Sequence, residues 1–465
     1  MKDIKVHFQS VLFAVCFFIA SYHAHSAVII VNADIGQSGC DLVEAINSAN
    51  NDTSEGGCTG GSGDDLILLN VSGVLLSNVY EAKNGLPIIS SNIHIRPVAT
   101  EPTVILRNPS ASTPLFRFFH VNGGALILEN IVFSGGQVNL PTDTVFSPGG
   151  ALYVFSGDLT LRDVEFHANY GGTGGAILLS GTEGFEATAT IFRSLFINNA
   201  SKFTGGAIDV GAYSGVTIFD STFTENYSGR QGGAINIGGG DSSLSIFNAT
   251  IVENESDREG GGVAMRTDIN EPEQQISVLL RNSILSGNTC NDCSGGGAEF
   301  VEYSYTTGAL SNLVTMQNNV IGSNNLANQQ VALGSRWADY DIAPYNNIFA
   351  TADADKPLPL ENIVSDGVGS IGVDYHRPLP VKSPAVDNGL AYIVGGSFPF
   401  LNYAPGCAGT ELVGFILPEY RTDRLKKARP IGAHCDIGAL ERDSALDEQC
   451  YTVEAKNEKT VVFCL

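Results

Sequence analysis

The residues best placed for chemistry follow a Gly-Gly-Ala-apolar box in the middle of the chain. Boxes begin at Gly123, Gly149, Gly174, Gly205, Gly232 and, as Gly-Gly-Val, Gly261, so they recur about every 25 to 31 residues. Four places after each first glycine comes a variable residue: Ile127, Tyr153, Leu178, Asp209, Asn236 and Met265. Glycoside hydrolysis needs two carboxylates, and a lyase needs cation-binding acids with a base. This column has one acid and no base, so we predict no catalytic residue and no metal site here, and take Tyr153, Asp209 and Asn236 as candidate binding residues.

The positions around that column have the pattern of a half-buried β-strand. The residues three and five places after the first glycine of each box are apolar in nearly every repeat. This alternation, with a period of two residues, is typical of a strand with one buried face. A second signature accompanies the boxes, an apolar residue three places before an asparagine: Phe166/Asn169, Phe196/Asn199, Phe223/Asn226, Ile251/Asn254 and Leu285/Asn288. Two further apolar columns lie eight and ten places before each asparagine, so each repeat offers about three short strands.

Repeats of this length cannot bury their apolar faces alone, and stacking them gives a continuous core. The sequence therefore predicts an all-β fold, a right-handed parallel β-helix with a short N-terminal capping helix. We expect the glycines at one tight corner and the asparagines at another, with their amides stacked as a ladder. A β-sandwich or propeller would need hairpin signals at each turn, and these are sparse.

The paired Gly-Gly-Ala-Ile and Phe-x-x-Asn signatures resemble the repeats of chlamydial polymorphic outer membrane proteins. The full matches are the boxes at Gly174, Gly205 and Gly232, and the asparagine signatures that begin at Phe166, Phe196 and Phe223. The resemblance covers about the middle two fifths of the chain and implies a β-helix at a cell surface. It says little about activity.

The N-terminal part combines a helical face with a cysteine pair. Residues 40–50 carry apolar side chains at helical spacing, and Cys58, Asp64 and Asp65 follow. This arrangement resembles the CSLREA domain found ahead of bacterial β-helices, although Leu42-Val43-Glu44-Ala45 lacks the usual arginine. The resemblance implies a cap at residues 27–100, with a helix that a Cys40–Cys58 disulfide would pin. Asp64 and Asp65 are metal ligands or, as we favour, turn and cap residues.

Charge and the first residues indicate export. Lys2 and Lys5 precede an apolar segment at 11–20, and small residues precede Ala27, so residues 1–26 are a predicted signal peptide. We expect the mature protein outside the cell or on the outer surface of a bacterium. A formal net charge of −24 excludes nucleic-acid binding by charge. No later stretch is apolar enough for a transmembrane anchor. No cofactor is predicted, although Ca²⁺ between surface carboxylates stays open.

The repeats are expected at residues 101–335, and their pattern fades beyond. Within 336–445, the segment Lys382–Gly389 and the segment Asp423–Glu441 resemble the choice-of-anchor region of exported bacterial β-helix proteins, in which Cys407 and Cys435 are the natural pair. Cys290 and Cys293 are a redox pair, half of a zinc site or, as we favour, a local disulfide or free pair. Residues 446–465 predict a hairpin closed by Cys450 and Cys464, a sorting tag or a cap.

Two classes of function remain. The first is a secreted or cell-surface β-helix that binds glycans or other surface components, or serves as a scaffold. The second is a β-helix enzyme that cleaves polysaccharides, as a lyase or glycoside hydrolase. A lateral groove with clustered acids beside Lys or Arg would favour the enzyme, whereas smooth faces covered by Asn, Ser and Thr would favour binding.

Overall fold

The protein is mostly β and folds as a parallel β-solenoid, as the repeats predict. The structure is a computed structural model that describes residues 27–140, 142–143, 146–267, 275–292, 297–304, 313–317, 319–322, 331–332, 348–349, 450–454 and 460–464. The predicted signal peptide, the choice-of-anchor-like region, Cys293, Cys407 and Cys435 lie outside the described residues. The right-handed sense of the coil stays a prediction.

The described chain contains one helix, α1 (Leu42–Asn51), and short strands throughout. The strands are β1 (Val28–Val31), β2 (Asp65–Leu69), β3 (Gly73–Leu76), β4 (Asn92–Pro97), β5 (Thr103–Arg107), β6 (Phe119–Val121), β7 (Ala125–Glu129), β8 (Ile131–Ser134), β9 (Leu152–Phe155), β10 (Gly157–Arg162), β11 (Glu165–His167), β12 (Tyr170–Gly171), β13 (Ile177–Ser180), β14 (Ala187–Phe192), β15 (Leu195–Ile197), β16 (Ala200–Ser201), β17 (Ile208–Val210), β18 (Ser214–Phe219), β19 (Thr222–Thr224), β20 (Tyr227–Ser228), β21 (Ile235–Gly238), β22 (Ser242–Phe247), β23 (Thr250–Val252), β24 (Glu255–Ser256), β25 (Val263–Thr267), β26 (Ile276–Arg281), β27 (Ile284–Ser286), β28 (Thr289–Cys290), β29 (Phe300–Ser304), β30 (Leu313–Gln317), β31 (Val320–Ile321), β32 (Val331–Ala332), β33 (Ile348–Phe349), β34 (Cys450–Glu454) and β35 (Thr460–Cys464).

Four parallel sheets run along the solenoid. Sheet A has ten strands in the order β1-β2-β4-β7-β10-β14-β18-β22-β26-β30, and sheet B has ten in the order β3-β5-β8-β11-β15-β19-β23-β27-β31-β33. Sheet C has five strands, β12-β16-β20-β24-β28, and sheet D has eight, β6-β9-β13-β17-β21-β25-β29-β32. Each strand pairs in parallel with the equivalent strand of the next coil, because one full coil of chain brings the backbone back to the same side in the same direction.

The apolar columns fill the interior in register. In sheet A, Leu161 pairs with Ile191, then Ile218, Ile246 and Leu280 follow in the same column. In sheet B, rings stack from coil to coil, with centroids 5.3, 4.9 and 4.6 Å apart along Phe133, Phe166, Phe196 and Phe223. Every one of these side chains is buried. The core is therefore a continuous column of stacked like residues, which is what the repeat predicts.

The glycine boxes form a tight corner for two different reasons. The first glycine of each box has a positive φ, for example 65° at Gly205 and 71° at Gly232, which suits glycine best. The second glycine has a neighbouring coil against it: a Cβ on Gly206 would lie 1.9 Å from the carbonyl oxygen of Gly233. The double glycine therefore reflects one conformational and one steric requirement.

Two boxes take a different place from the one their sequence suggests. The box at Gly123 leads into β7 of sheet A, where Leu126 pairs with Leu159, so Ile127 is outside the expected column. In the last box, Gly260 rather than Gly261 is the first glycine, with φ 72°. Met265 is consequently buried in the core, and Ala264 pairs with Asn236. A run of three glycines cannot fix its own register, which is why the sequence misplaced it.

The predicted asparagine ladder is present. The amide of Asn169 donates to Oδ1 of Asn199 at 2.9 Å, and the same bond links Asn199 to Asn226, Asn226 to Asn254 and Asn254 to Asn288 at 3.0, 2.9 and 2.8 Å. The backbone N–H of each donor asparagine, such as Asn199, donates to the same Oδ1 as its side-chain amide does. All five asparagines are at most 1% exposed. The ladder thus satisfies polar groups that the solenoid corner buries.

The predicted N-terminal helix is present. Helix α1 begins with a capping box, in which Asp41 accepts from the backbone N–H of Glu44 and Glu44 accepts from that of Asp41. The apolar face of α1 packs against β1, β2 and β4. The predicted Cys40–Cys58 disulfide is present and joins the helix start to the following loop.

At the other end of the sequence, β34 and β35 pair antiparallel, with Cys450 opposite Cys464. This is the register that the proposed hairpin disulfide requires. Within the described part of the chain, no helix is long and apolar enough to cross a membrane.

Candidate functional site

Three surfaces of the described solenoid combine polar groups in a way that could serve binding. The first is the variable column of sheet D. Once the register is corrected, it contains His120, Tyr153, Leu178, Asp209, Asn236 and Ala264. The predicted binding residues Tyr153, Asp209 and Asn236 do share this column, as the box alignment suggested.

Two of the three predicted binding residues are buried. Asp209 accepts from the Thr204 hydroxyl at 2.5 Å and from the Asn236 amide at 2.8 Å. Asp209 is 6% exposed and Asn236 is 4% exposed. Burial raises the pKa of the Asp209 carboxyl, although these two hydrogen bonds oppose the shift. Asp209 and Asn236 therefore hold adjacent coils together, and their role in binding stays a prediction.

Tyr153 lies in a stack that the sequence did not reveal. The His120 ring stacks on Tyr153 with centroids 4.8 Å apart, and the Arg117 guanidinium carbon lies 5.4 Å from the Tyr153 centroid. Burial lowers the pKa of His120 to about 4 and that of Arg117 to about 10. The imidazole is thus neutral at physiological pH. His120 and Arg117 were missed because the Gly123 box aligned Ile127, on another sheet, with Tyr153.

The second surface is a groove on the outer face of sheet A. It is a cavity of about 420 Å³ lined by Asp64, Asp65, Leu66, Asn92, Ile93, His94, Ala125 and Ile127. Asn92 donates to Asp64 at 2.8 Å, and His94 Nε2 lies 3.2 Å from Glu129 Oε2. The hydrogen bond with His94 holds the pKa of Glu129 below its usual range. The groove has the size of a small-ligand site, with acids already hydrogen-bonded to neighbours.

Beyond this groove, one column on the outer face of sheet A carries hydroxyl groups. The column that contains His94 and Ile127 continues through Thr160, Thr190, Thr217 and Ser245, one residue from each successive strand. All four hydroxyl residues are half-buried. The column therefore offers a row of hydrogen-bond donors and acceptors along the sheet.

The aspartates at the cap stabilise a turn. Asp65 is buried, and its Oδ1 accepts from the backbone N–H groups of Ser62 at 2.8 Å and Ala27 at 3.2 Å. Among the residues that the structure describes, no three His, Cys, Asp or Glu side chains are grouped closely enough to hold a metal ion. Asp65 therefore makes the contacts of the turn role that we favoured.

The third surface is an aromatic corner formed by Phe146, Phe203 and Arg230. The two phenylalanine rings stack with centroids 4.3 Å apart and an interplanar angle of 25°. The Arg230 guanidinium carbon lies 4.8 Å from the Phe203 centroid. Phe146 is 61% exposed, although it is a large apolar side chain. An exposed ring held in place by a second ring and a cation is a preformed contact surface.

The backbone explains how the aromatic corner forms. Phe203 follows β16 and donates its N–H to the Gly172 carbonyl at 2.9 Å, and the Gly172 N–H donates to Ser147 at 2.8 Å. A Cβ on Gly172 would lie 2.7 Å from the Ser147 nitrogen, so only glycine lets the loop of Phe146 approach. The ammonium of Lys202 donates to the carbonyl of Asp143 in that same loop. The repeat pattern did not predict this surface, because Phe146 lies in an irregular loop outside the repeat.

Tyrosines and carboxylates border the aromatic corner along sheet C. Tyr170 and Tyr227 occupy one column of the sheet, and Glu255 follows in the next coil. The pKa of Tyr227 is raised to about 12, mainly because the hydroxyl is buried and also because it hydrogen-bonds to Asp257. Both tyrosines therefore stay protonated at physiological pH.

Comparison of the chain with protein-family models, with curated proteins and with solved structures finds no significant match. The assignment that the structure carries is accordingly one of architecture: a parallel β-solenoid of about seven turns with a short helix near its N-terminus.

Proposed function

We propose that the protein is an exported bacterial β-solenoid that binds glycans at or outside the cell surface and does not cleave them. The observation that carries this proposal is the aromatic corner. Phe146 presents most of its ring to solvent, and its stacking on Phe203 keeps the ring in one orientation. Aromatic faces of this kind pack against the C–H face of a sugar ring, while nearby hydroxyl groups satisfy the sugar hydroxyls.

The resemblances in the sequence support the surface location. The repeats are similar to those of polymorphic outer membrane proteins, the cap to the CSLREA domain and the C-terminal region to the choice-of-anchor region. A signal peptide at 1–26 and disulfide-compatible cysteines fit an oxidising compartment. These resemblances support a location at or outside the cell surface, and the aromatic corner supports glycan binding.

Polysaccharide cleavage is the second candidate, and one observation favours it. The groove on sheet A combines Asp64 with His94, whose imidazole pairs with Glu129. An acid and a base in one groove could perform general acid–base chemistry. We rank this function second because both carboxylates already have hydrogen-bonded neighbours.

The test uses the mature protein and a panel of immobilised neutral and acidic glycans, with retention and bond cleavage scored separately. We expect retention without products. Phe146→Ala should weaken retention about tenfold, as for loss of a central aromatic contact. Phe185→Ala is the matched control, because Phe185 is 66% exposed in a separate turn closed by Thr182. If the mature protein cleaves a glycan and His94→Ala abolishes that cleavage, the second candidate function replaces the proposed one.

A further inference from the structure

Two arginines follow adjacent strands of sheet C, next to the aromatic corner. Arg230 follows β20 and Arg258 follows β24. The backbone N–H of Arg258 donates to the backbone carbonyl of Arg230 at 2.8 Å. They therefore occupy the same place in adjacent coils, which are about 4.8 Å apart in a parallel sheet. This is the spacing of the two backbones, and it lets both guanidinium groups reach one anion, which would reduce the repulsion between the two charges.

Two acids beside the arginines, Glu255 and Asp257, have other partners. Asn291 donates to Glu255 at 2.9 Å and to Asp257 at 3.0 Å, and Tyr227 also hydrogen-bonds to Asp257. Within the described parts of the chain, neither Arg230 nor Arg258 forms an ion pair with a carboxylate. This is notable in a protein that has 49 acidic residues and 25 basic ones. By contrast, Nε and Nη2 of Arg193 donate to the two carboxylate oxygens of Asp163, at 2.9 and 3.1 Å.

We propose that Arg230 and Arg258 make the aromatic corner selective for acidic saccharides, in which a sugar ring carries a carboxylate or a sulfate group. The inference rests on the proposed function and adds the chemical class of the ligand. A guanidinium presents two parallel N–H groups that match two oxygens of such an anion. The anion lies against the arginine pair, and the sugar ring packs on Phe146. Binding also removes the repulsion between the two arginines, which a neutral sugar cannot do.

The experiment compares polymers that differ only in charge. The full mature chain is measured by biolayer interferometry on polygalacturonate and its methyl ester, and on dextran sulfate and dextran. We expect the charged member of at least one pair to bind about tenfold more tightly than its neutral counterpart. Arg230→Gln and Arg258→Gln should each reduce that preference several-fold. Arg96→Gln on sheet A makes the same charge change away from the corner and should leave the preference unchanged.

The outcomes separate the two proposals. If charged and neutral polymers bind equally and Phe146→Ala weakens both, the glycan-binding function stands and the selectivity is overturned. If Arg96→Gln reduces the preference as much as Arg230→Gln does, general charge explains the effect and the inference fails. If no polymer is retained, both proposals fail. The pair that shows the preference identifies the anion as a carboxylate or a sulfate.

Discussion

The side-chain amide of Asn288 donates a 2.5 Å hydrogen bond to Oε2 of Glu299, and both side chains are buried. Glu299 comes directly before strand β29 of sheet D. Earlier coils have a small residue at this position, such as Ala234 before β21 and Gly262 before β25. A carboxyl group has thus entered the solenoid interior at the last rung of the described asparagine ladder. It accepts the hydrogen bond that an asparagine accepts from every earlier rung.

Glu299 should make the stability of the solenoid depend on pH. Burial raises its pKa to about 8 from an ordinary 4.5, although hydrogen bonds from Asn288 oppose the shift. Between these values the folded state holds a proton that the unfolded state releases, so the free energy of unfolding falls as pH rises. Glu299→Gln should raise the Tm at pH 8.5 and change it little at pH 4.5. Glu225→Gln, at an exposed site, is the control, and equal effects at both pH values would contradict the prediction.

The asparagine ladder should be worth more than an average hydrogen bond. Asn226→Ala removes the bonds to Asn254 and to the Phe196 carbonyl, both at 2.9 Å, and leaves buried groups of the Asn199 rung without an acceptor. We expect a loss of about 3 kcal/mol in the free energy of unfolding, measured with urea. Asn122→Ala, at an exposed position, should cost below about 0.5 kcal/mol. Similar losses for the two variants would show that the ladder adds no stability.

The double-glycine corner should tolerate no side chain at its second position. Gly206→Ala would place a Cβ 1.9 Å from a backbone oxygen of the next coil, so adjacent coils must separate. We expect the variant to unfold at least about 10 °C below wild type in thermal circular dichroism, or to fail to accumulate. Gly238→Ala is a fair comparison, since its nearest atom would be 3.5 Å away. A Gly206→Ala protein with the wild-type Tm would refute the steric explanation.

The cap disulfide should protect the first coils locally. Replacing both Cys40 and Cys58 by serine opens a loop with a sequence separation of 18 residues, for which chain entropy predicts a cost of about 3 kcal/mol. Hydrogen exchange should speed up in α1 and in β1, against which the helix packs. Exchange at the central strand β18 serves as the internal control. Uniform acceleration along the chain would show that the cap and coils unfold together.

Much of the fold could be predicted because stacked coils repeat the same requirement. Leu161 and Ile191 face the same interior one coil apart, so their spacing in sequence reports their contact in space. The ladder from Asn169 to Asn288 could be predicted for the same reason. The register errors at Gly123 and Gly261 arose where glycine runs or a change of sheet removed the side chains that mark position.

The candidate site was less predictable, because it depends on departures from the repeat. Asp209 and Asn236 alternate outward along their strands, but Thr204 and the neighbouring coils cover them. Phe146 comes near Phe203 only because Gly172 leaves room for a loop, and no spacing in the sequence encodes that contact. A periodic pattern specifies the coil, whereas the irregular insertions decide which side chains meet on its surface.

The hydrogen bonds between asparagines in the ladder all run in one direction along the solenoid. Each amide nitrogen, from Asn169 to Asn254, donates to an Oδ1 in the next coil. The same amides also donate back to a carbonyl of the coil before, as Asn226 does to Phe196, so a cut between two coils would leave donors and acceptors on both faces. The two faces would still differ, because the asparagine Oδ1 acceptors of the broken bonds would lie on the later face alone. Two complementary fragments should therefore rejoin along this seam in one orientation.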